Sequence, residues 1–402
     1  MRSRLTAPLR SEVARALPQR PFVLRFWDGT SLPATTPGSS EFFVRRPAAI
    51  GHFLRSPGPL GLGRAYVTGD LVVDDLDAAF LVVDEWEPPE ISLADRARLT
   101  AAAATACIGG GLPRRPELEL ILSGERHSFA RDSAAVRYHY DVGNDFFALF
   151  LDESMTYSCA IFSRGAETLA DAQQTKLALV ATKLNLQAGQ RVLDVGCGWG
   201  SFAIHAARNH DVEVVGITLS PAQAMLARRR VADAGLSDRI DIRVADYREL
   251  QAEPFDAIAS IGMVEHVGDN QIDAYAASLH RLLRPGGTLL NHGIAVLRAD
   301  DDPTDDLFSN RYVFPDGEPL PLSRVQRALE LAGFETLHVE GFRADYAETL
   351  RRWIAALDEH LPEAQKLAGE QRTRIWRLYL RAARHGFDVG FTSVYQVRAV
   401  RP

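Results

Sequence analysis

The ten residues 191–200, RVLDVGCGWG, constrain the fold of this chain more than any other stretch. An apolar run ends on Asp194, and glycines follow at alternate positions: Gly196, Gly198 and Gly200. The residues Trp199 to His210 then predict a helix. Glycines let a ligand approach the backbone closely, and a helix start offers free N–H groups to a carboxylate or a phosphate. The stretch therefore predicts a strand, a tight turn and a helix that bind a nucleotide-type ligand.

The spacing of this turn favours S-adenosylmethionine over NAD as that ligand. The turn is D-x-G-x-G-x-G with an acid ahead of it, and it lacks the spacing of a dinucleotide fingerprint. At the strand tip the carboxylate of Asp194 can orient the amino acid end of the donor. The alternative is that Asp194 only caps the turn.

Strands and helices alternate after the turn, which predicts a parallel, doubly wound sheet with the ligand at the carboxyl ends of its strands. The predicted strands are Glu213–Thr218, Ile240–Ala245, Phe255–Ile261 and Thr288–Gly293, with helices at Pro221–Ala234 and Gln271–Leu283. The segment from Ala295 to about His360 is longer than a crossover needs, so we expect a lid or a substrate pocket there. FETLHVEGF and VGFTSVYQVRAV predict two strands at the closing edge of the sheet. The expected fold class is α/β, a class I methyltransferase-like doubly wound sheet with lid insertions.

A small α+β domain is predicted ahead of this sheet. Helical spacing at the start of the chain leads into FVLRFWDGT, a strand with a turn at Asp28 and Gly29. Proline, glycine and arginine crowd residues 109–116, which predicts the start of a linker. We therefore expect a small lipid- or membrane-associated domain with its linker at 1–125 and a methyltransferase domain at 126–402.

Composition limits the partners of the chain. The net charge of −7 argues against general nucleic-acid binding, so attraction to an acidic membrane must be local. Basic clusters at 114–115, 228–230 and 351–352 are more often solvated faces than membrane contacts. The three cysteines lack metal-ligand spacing, so we expect no metal, and no apolar segment near Arg2 and Arg4 predicts secretion. Apolar stretches are shorter than the ~20 residues of a spanning helix, so we expect a cytoplasmic or peripheral membrane protein.

Several motifs together resemble the cyclopropane fatty acid synthases and mycolic acid cyclopropane synthases. They are YHYDVGNDFF, YSCAIF, VLDVGCGWG, GITLSPAQ, ADYREL, MVEHVG, RPGG, NRYVFPDG and ADYAETL. The resemblance covers the chain from about Tyr138 onward, and the N-terminal domain more loosely. It implies that the following residues contact S-adenosylmethionine: Tyr157, Ser158, Gly196, Gly198, Thr218, Gln223, Asp246 and Tyr247. Many methyltransferases have a ribose-binding acid after the second strand. Thr218 stands there in this chain, and in the family the downstream glutamine replaces the acid.

The resemblance also implies a base for an alkene-modifying reaction. The positions that bind bicarbonate in the family correspond to Cys159, Glu265, His292, Ile294 and Tyr346. Each of these residues could instead have an ordinary structural role, such as core packing of the thiol or the phenol. The implied substrate is an unsaturated acyl chain, favoured as that of a membrane phospholipid by the N-terminal extension. Residues near 146–162 and within 305–360 are expected to line its tunnel, although aromatics spaced like Phe146, Phe147 and Phe150 usually form core. A homodimer and a reductase acting on the product are further expected partners.

Three positions depart from the pattern usual in cyclopropane synthases: Glu153, Ile161 and Val264 replace a proline, an aromatic residue and a phenylalanine. Two aromatic faces that could stabilise a cation are thereby absent, and a carboxylate is added. These changes keep open a second product, a 10-methylene fatty acid that is the precursor of a methyl branch. Cyclopropanation remains the leading prediction. The sequence also allows a small-molecule methyltransferase or a non-catalytic binding protein, and the retained base cluster and donor turn argue against both.

Overall fold

The structure is a computed structural model that describes residues 3–37, 40–107, 112–298 and 307–402. The chain divides into two compact units. The first unit comprises Met1–Leu120 and Gly369–Ala382, and the second comprises Ile121–Ala368 and Ala383–Pro402. Part of the predicted linker, residues 108–111, lies outside the described residues.

The first unit is built around a four-stranded sheet. Its elements are α1 (Ser3–Ala16), β1 (Phe22–Phe26), β2 (Ser31–Leu32), β3 (Ser40–Val44), α2 (Ala48–Arg55), α3 (Pro59–Thr68), β4 (Leu71–Val73), α4 (Leu76–Glu85) and α5 (Leu93–Ala106). The strand order is β2-β1-β3-β4, with β1 and β3 parallel and the other pairs antiparallel. Apolar residues of α1, α2, α3 and α5 cluster with residues of β1, β3 and β4, so this unit has its own core.

The second unit contains the predicted sheet. Its first elements are α6 (Phe129–Tyr140), α7 (Asn144–Ala148), α8 (Leu169–Leu184), β5 (Arg191–Val195), α9 (Ser201–His210), β6 (Glu213–Thr218), α10 (Pro221–Asp233), β7 (Ile240–Val244) and β8 (Phe255–Ile261). A short helical turn at Val264–His266, α11 (Ile272–Leu282), β9 (Leu283–Val296), α12 (Leu307–Tyr312), α13 (Leu322–Leu331), β10 (Glu335–Gly341), α14 (Arg343–Glu359) and α15 (Leu361–Ala368) follow. The last elements are α16 (Glu370–Asp388), whose first part belongs to the first unit, and β11 (Thr392–Val400).

Seven strands form this sheet in the order β10-β11-β9-β8-β5-β6-β7. The strands from β5 to β9 pair in parallel, and β11 runs antiparallel between β9 and β10. Residues of α8, α9 and α10 pack on one face, and residues of α11 and α13 pack on the other. Burial on both faces explains why the central strands β5 and β8 are largely buried, whereas the edge strand β7 alternates apolar and polar residues. The predicted α/β fold with a doubly wound sheet is confirmed.

The boundaries of some elements differ from the prediction. The sequence predicts the last parallel strand at 288–293, but β9 begins at Leu283, which pairs with Phe255, and it ends at Val296 opposite β11. The helix predicted from Trp199 begins at Ser201, because Gly200 takes a left-handed conformation with φ of 81°. The segment predicted to form a lid at 295–360 contains β10, which belongs to the sheet, and residues 299–306 of that segment lie outside the described residues.

The helix α8 carries the charged residue Lys176 into the site. It begins after Thr168, whose Oγ1 accepts a hydrogen bond from the Asp171 N–H at 3.1 Å. It ends at Asn185, which has a left-handed φ of 53°.

In the described part of the chain, no helix combines the length and the apolarity needed to span a bilayer.

Candidate active site

The glycine turn after β5 opens onto free space at the carboxyl end of the sheet. The N–H groups of Gly196 and Cys197 donate to the Ile217 carbonyl at 3.0 and 2.9 Å, which fixes the turn against β6. Gly198 has φ of 54°, and the nearest atom to a Cβ placed on it is Gln223 Nε2 at 3.9 Å. The turn therefore leaves room for a ligand to approach the backbone.

Two cavities meet at this turn, and they share Tyr140, Gly196, Gly198, Gln223 and Gly262. The larger has a volume of about 740 Å³ including its open mouth, and the predicted donor residues Thr218, Asp246 and Tyr247 also line it. The smaller has a volume of about 480 Å³, and Tyr157, Ser158 and Asp194 also line it. Nine of the ten residues predicted to bind the donor thus surround one continuous site.

Gly200 is the predicted donor residue that lines neither cavity. A Cβ placed on it would lie 3.4 Å from Ala227 Cβ on α10. That distance is an ordinary contact, so the left-handed backbone of Gly200, with φ of 81°, accounts for the third glycine of the turn.

Hydrogen bonds fix the polar walls of the larger cavity. Thr218 Oγ1 donates to Gln223 Oε1 at 2.8 Å, so both residues that replace the usual ribose-binding acid are held together. Arg248 donates to both carboxylate oxygens of Asp246, at 2.9 and 2.6 Å, and to Asp132 at 2.9 Å. This part of the site presents amide, hydroxyl and carboxylate groups, which suit the hydroxyl and amino groups of a nucleoside.

The smaller cavity contains two buried charged residues. Asp194 is 2% exposed and its Oδ2 has no hydrogen-bond partner. Burial raises the pKa of Asp194 to about 7, while the charge of Lys176 opposes the rise. Lys176 is 1% exposed, and its Nζ donates to Ser158 Oγ at 2.9 Å.

Lys176 is a site residue that was not predicted from the sequence. In a single sequence a lysine in a helix is usually solvated. The available signal was helical spacing, because Lys176 lies four residues after Ala172 and four before Val180, both fully buried.

Glu265 and His292 lie on neighbouring elements beside the donor site. Gly262 N–H donates to the His292 carbonyl at 2.8 Å, and a Cβ placed on Gly262 would lie 3.8 Å from Ser158 Cβ and 3.9 Å from Glu265 Oε1. A Cβ placed on Gly293, next to His292, would lie 3.2 Å from Glu265 Oε2. Gly293 therefore gives the Glu265 carboxyl group its space, whereas a Cβ on Gly262 would make only an ordinary contact with it.

The polar atoms of these two side chains are largely unsatisfied. Glu265 Oε2 and His292 Nε2 are buried without a hydrogen-bond partner. Burial raises the pKa of Glu265 to about 7, although the backbone N–H groups of Glu265 and Ile294 oppose the rise. Burial and the charges of Lys176 and Lys183 lower the pKa of His292 to about 3, so the imidazole is neutral at physiological pH. Buried polar groups of this kind need a water molecule, an ion or a ligand to complete their hydrogen bonds.

Cys159 and Tyr346 both contact Phe342, Cys159 through its thiol and Tyr346 through its backbone N–H. Cys159 Sγ lies 3.8 Å from the Phe342 carbonyl, and the Tyr346 N–H donates to that carbonyl at 3.0 Å. The Phe342 ring is parallel to the His292 ring at 6.5 Å between centroids. Burial raises the pKa of Cys159 well above its usual value, so the thiol stays protonated.

The first turn of α14 holds the extended segment that carries Cys159. Asp345 Oδ1 accepts the N–H groups of Phe162 and Ser163 at 2.6 and 2.7 Å. Thr349 Oγ1 accepts the Ala160 N–H at 3.0 Å. The structure thus brings Glu265 close to His292 and Ile294. The Tyr346 ring packs on the Phe387 ring with 4.6 Å between centroids, so the meeting of Cys159 and Tyr346 with Glu265 stays a prediction.

A hydrogen-bonded pair that was not predicted from the sequence orients the imidazole. Lys183 Nζ donates to Gln396 Oε1 at 2.7 Å, which leaves the Gln396 amide nitrogen facing His292 Nδ1 at 3.0 Å. Because the amide nitrogen can only donate, Nδ1 accepts and the proton of the neutral ring resides on Nε2. His292 therefore presents an N–H donor to the unsatisfied side of the cluster. No single-sequence signal distinguishes Gln396 from any other strand residue.

The three departing positions occupy different environments. Ile161 and Val264 are buried, whereas Glu153 is exposed in a turn, and its backbone carbonyl accepts from Arg230 at 3.5 Å. Glu153 lines neither cavity. Its carboxylate therefore lacks the position from which it was predicted to act on a cation.

The aromatic residues Phe146, Phe147 and Phe150 are fully buried, and they pack against Tyr157, Trp199 and Trp353. They line neither cavity. This is the core packing expected from their helical spacing, and the acyl tunnel stays a prediction.

Comparison with known proteins gives matches over most of the chain. The family model described as mycolic acid cyclopropane synthetase matches residues 127–397. A probable fatty acid methyltransferase of Pseudomonas putida is 38% identical over 387 residues, which cover 95% of this chain and 92% of the relative. The cyclopropane-fatty-acyl-phospholipid synthase of Escherichia coli (strain K12) is 35% identical over 362 residues, which cover 89% of this chain and 87% of the relative.

A solved structure agrees with these matches. The crystal structure of mycolic acid cyclopropane synthase CmaA1 complexed with SAH and CTAB superposes with a TM-score of 0.63 at 36% identity, over 67% of this chain and 98% of that chain. SAH is what remains of S-adenosylmethionine once its methyl group has been transferred. The chain therefore belongs to the mycolic acid cyclopropane synthetase family and is an S-adenosylmethionine-dependent methyltransferase that modifies lipid acyl chains.

Proposed function

We propose that this enzyme adds the methyl carbon of S-adenosylmethionine to the double bond of an unsaturated phospholipid acyl chain and closes a cyclopropane ring. One observation supports this proposal above the others. Glu265 and His292 lie next to Gly262, which lines both donor cavities, and one side-chain atom of each is buried without a hydrogen-bond partner among the described residues. A methyltransferase acting on an amine or a hydroxyl group needs at most one base for the acceptor's proton and no bound oxyanion.

The site divides the donor between its two cavities. Thr218, Gln223, Asp246 and Tyr247 would hold the nucleoside, and Asp194, Tyr157 and Ser158 the amino acid end. The donor supplies an electrophilic methyl group, which an isolated alkene attacks only when the two are held in line. Holding the reactants at attack distance is the main contribution of these residues to the rate.

Addition of a methyl group to an alkene leaves a carbocation, and ring closure requires loss of a proton from the new methyl group. The buried, unsatisfied atoms of Glu265 and His292 fit bicarbonate, a weak base of the required size that accepts a proton. His292 would donate from Nε2, and Glu265 would donate in its protonated form, since its raised pKa keeps part of it protonated near pH 7. The protein thereby holds an anion without placing a second full charge beside it.

A second product is supported by Ile161 and Val264. Both side chains are buried and aliphatic at positions where aromatic residues are usual in cyclopropane synthases. A cation with fewer aromatic faces around it is less stabilised in place. A neighbouring hydrogen can then migrate before a proton leaves, which gives the 10-methylene fatty acid. A separate reductase would be required to complete a methyl branch.

We also propose that the first unit binds the membrane surface through the hairpin of α2 and α3. Residues 42–69 contain four arginines and no acidic residue. Phe53 and Leu62 are 41% and 48% exposed, and a Cβ placed on Gly61 would lie 3.0 Å from Phe53 Cα, so α2 and α3 are in contact at Gly61. Arg45 and Arg55 are exposed and flank Phe53 in the sequence, whereas Arg64 is buried and paired with Glu119. Exposed apolar side chains in a segment that also carries exposed arginines suit the headgroup region of a bilayer with anionic lipids.

Expression in cells with an oleoyl-rich membrane tests the proposed function. Mass spectrometry of the phospholipids should show acyl chains that have gained one CH₂ group with cyclopropane or methylene connectivity. Unchanged lipids in cells that contain soluble, donor-binding enzyme would contradict the proposal and favour the small-molecule methyltransferase.

A further inference from the structure

The smaller cavity contains a buried cation that the proposed reaction does not use. Lys176 is 1% exposed, and its only hydrogen bond among the described residues is to the neutral hydroxyl of Ser158. Burying an ammonium group against one neutral hydroxyl is costly, because an ion needs a counter-ion or several hydrogen bonds to replace its hydration. The positive charge of Lys176 is therefore not balanced by its hydrogen bond to Ser158.

The acidic groups near Lys176 do not form an ion pair with it among the described residues. Asp152 uses its carboxylate oxygens to accept the N–H groups of Ser154 and Thr156, at 3.0 and 3.3 Å. Cys159 is a protonated thiol, because burial raises its pKa. Asp194 lines the same cavity as Lys176, but among the described residues the two form no direct ion pair, and Asp194 Oδ2 is unpaired.

The cavity thus presents one unpaired ammonium group and one unpaired carboxylate oxygen. A ligand group that satisfies both at once carries a carboxylate and an ammonium on one carbon atom, which is the structure of an α-amino acid end. The donor of this enzyme has such an end. Because Asp194 lies near the carboxyl end of β5, it is placed to bind the ammonium group of the donor, and Lys176 is left to bind the donor carboxylate.

We infer that Lys176 binds the carboxylate of the donor's methionine portion, with Ser158 holding its Nζ in place. This inference rests on the use of S-adenosylmethionine but not on the identity of the lipid substrate. The charge balance also explains why a lysine is tolerated in the buried face of α8. In the complex Lys176 would pair with the donor carboxylate, and Asp194 would pair with the donor ammonium group. The net charge of these four groups would be zero.

Calorimetric binding of S-adenosylhomocysteine and of decarboxylated S-adenosylhomocysteine to the full chain tests this inference. The second probe keeps the amine and lacks the carboxylate. Wild type should bind the intact probe roughly 10- to 100-fold more tightly, as expected for a hydrogen bond between two charged groups. Lys176→Met, which has similar length and no charge, should lose this preference by weakening only the intact probe.

Lys183→Met is the matched control. It removes a second lysine of α8, whose Nζ binds Gln396. Because Lys183 lines neither cavity, this variant should keep the preference for the intact probe. Lys176→Gln and Ser158→Ala serve as further variants if the methionine variant does not fold. Unchanged affinity of Lys176→Met or Lys176→Gln for the intact probe, or equal loss for both probes, would overturn the inference. No lipid enters this measurement, so an error in the proposed reaction leaves its outcome unchanged.

Discussion

Gln396 faces Nδ1 of His292 at 3.0 Å, and this contact places the imidazole proton on Nε2. The orientation of the amide is itself set by Lys183, which donates to Gln396 Oε1 at 2.7 Å. A chain of two hydrogen bonds therefore prepares His292 as a donor toward the position proposed for bicarbonate. Both residues act through His292 and are positioning residues.

Gln396→Leu should lower turnover by roughly a hundredfold or more, because loss of tautomer control at a catalytic histidine is costly. The affinity for S-adenosylhomocysteine should stay within about twofold, since neither Gln396 nor His292 lines the donor cavities. Turnover on phospholipid vesicles and calorimetry measure the two effects. Lys183→Met should show a smaller loss of turnover, and full activity of Gln396→Leu would show that the contact is only structural.

Glu265→Leu should reduce turnover by about a hundred- to ten-thousand-fold and leave donor affinity nearly unchanged, because it removes the carboxyl group that holds the base of the proton-removal step. A degassed assay of the wild type should be slower and should recover when bicarbonate is added. The variant should respond less to bicarbonate. Normal turnover of Glu265→Leu would refute this role.

Asp194→Asn should change how stability depends on pH. The raised pKa of Asp194 means that the folded apoprotein holds a proton that the unfolded chain releases near pH 3.8. Its contribution to the free energy of unfolding is therefore fully present below about pH 3.8 and is lost as the pH rises toward about 7. Relative to wild type, Asp194→Asn should gain stability across this window. Thermal unfolding without donor, with the exposed Asp233→Asn as control, tests the sign; a constant difference between variant and wild type would contradict it.

Ile161→Tyr should move the product ratio toward the cyclopropane ring, because it restores an aromatic face at a buried position near the segment held by α14. Glu153→Pro alone should leave the ratio unchanged, since the Glu153 side chain is exposed. Wild type should yield some methylene product. NMR distinguishes the products, because cyclopropyl protons lie far upfield of methylene protons. If neither single variant nor their combination alters a purely cyclopropyl product, these departures do not control the outcome.

Phe53→Ser combined with Leu62→Ser should weaken binding to vesicles that contain anionic phospholipid, with unchanged affinity for S-adenosylhomocysteine. Loss of two inserted apolar side chains removes several kcal/mol at about 25 cal/mol per Å² of buried apolar surface. Vesicle co-sedimentation measures the effect. Leu93→Ser is the control, since Leu93 is 84% exposed on α5 of the same unit. Equal binding by the double variant and the control would exclude this hairpin as the docking surface.

The sequence predicted the local elements of the sheet well, because their signals are local. The apolar run before Asp194, the glycine turn and the helix after it lie within twenty residues. Boundaries set by pairing partners were less accurate: β9 extends to Val296 because β11, about a hundred residues later, pairs with it. The assignment of Gly369–Ala382 to the first unit depends on contacts of the same long range.

The residues of the candidate site likewise divide into those with a local sequence signal and those defined only by long-range contacts. Residues in recognisable motifs, such as Gln223 and Glu265, could be named from the sequence. Lys176 and Gln396 could not, because a buried lysine and a strand glutamine acquire their meaning only from the groups they face. The exposure of Glu153 likewise depends on the turn that holds it.

The proposed reaction is tested most directly by incubating the purified enzyme with S-adenosylmethionine and dioleoyl phospholipid vesicles and recording NMR spectra of the recovered lipid. We predict acyl chains that carry one added carbon at the former double bond, with upfield cyclopropyl protons as the main new signals and methylene signals beside them. Recovery of unaltered oleoyl chains, while S-adenosylhomocysteine accumulates with a small amine or alcohol as the methyl acceptor, would contradict the proposed reaction.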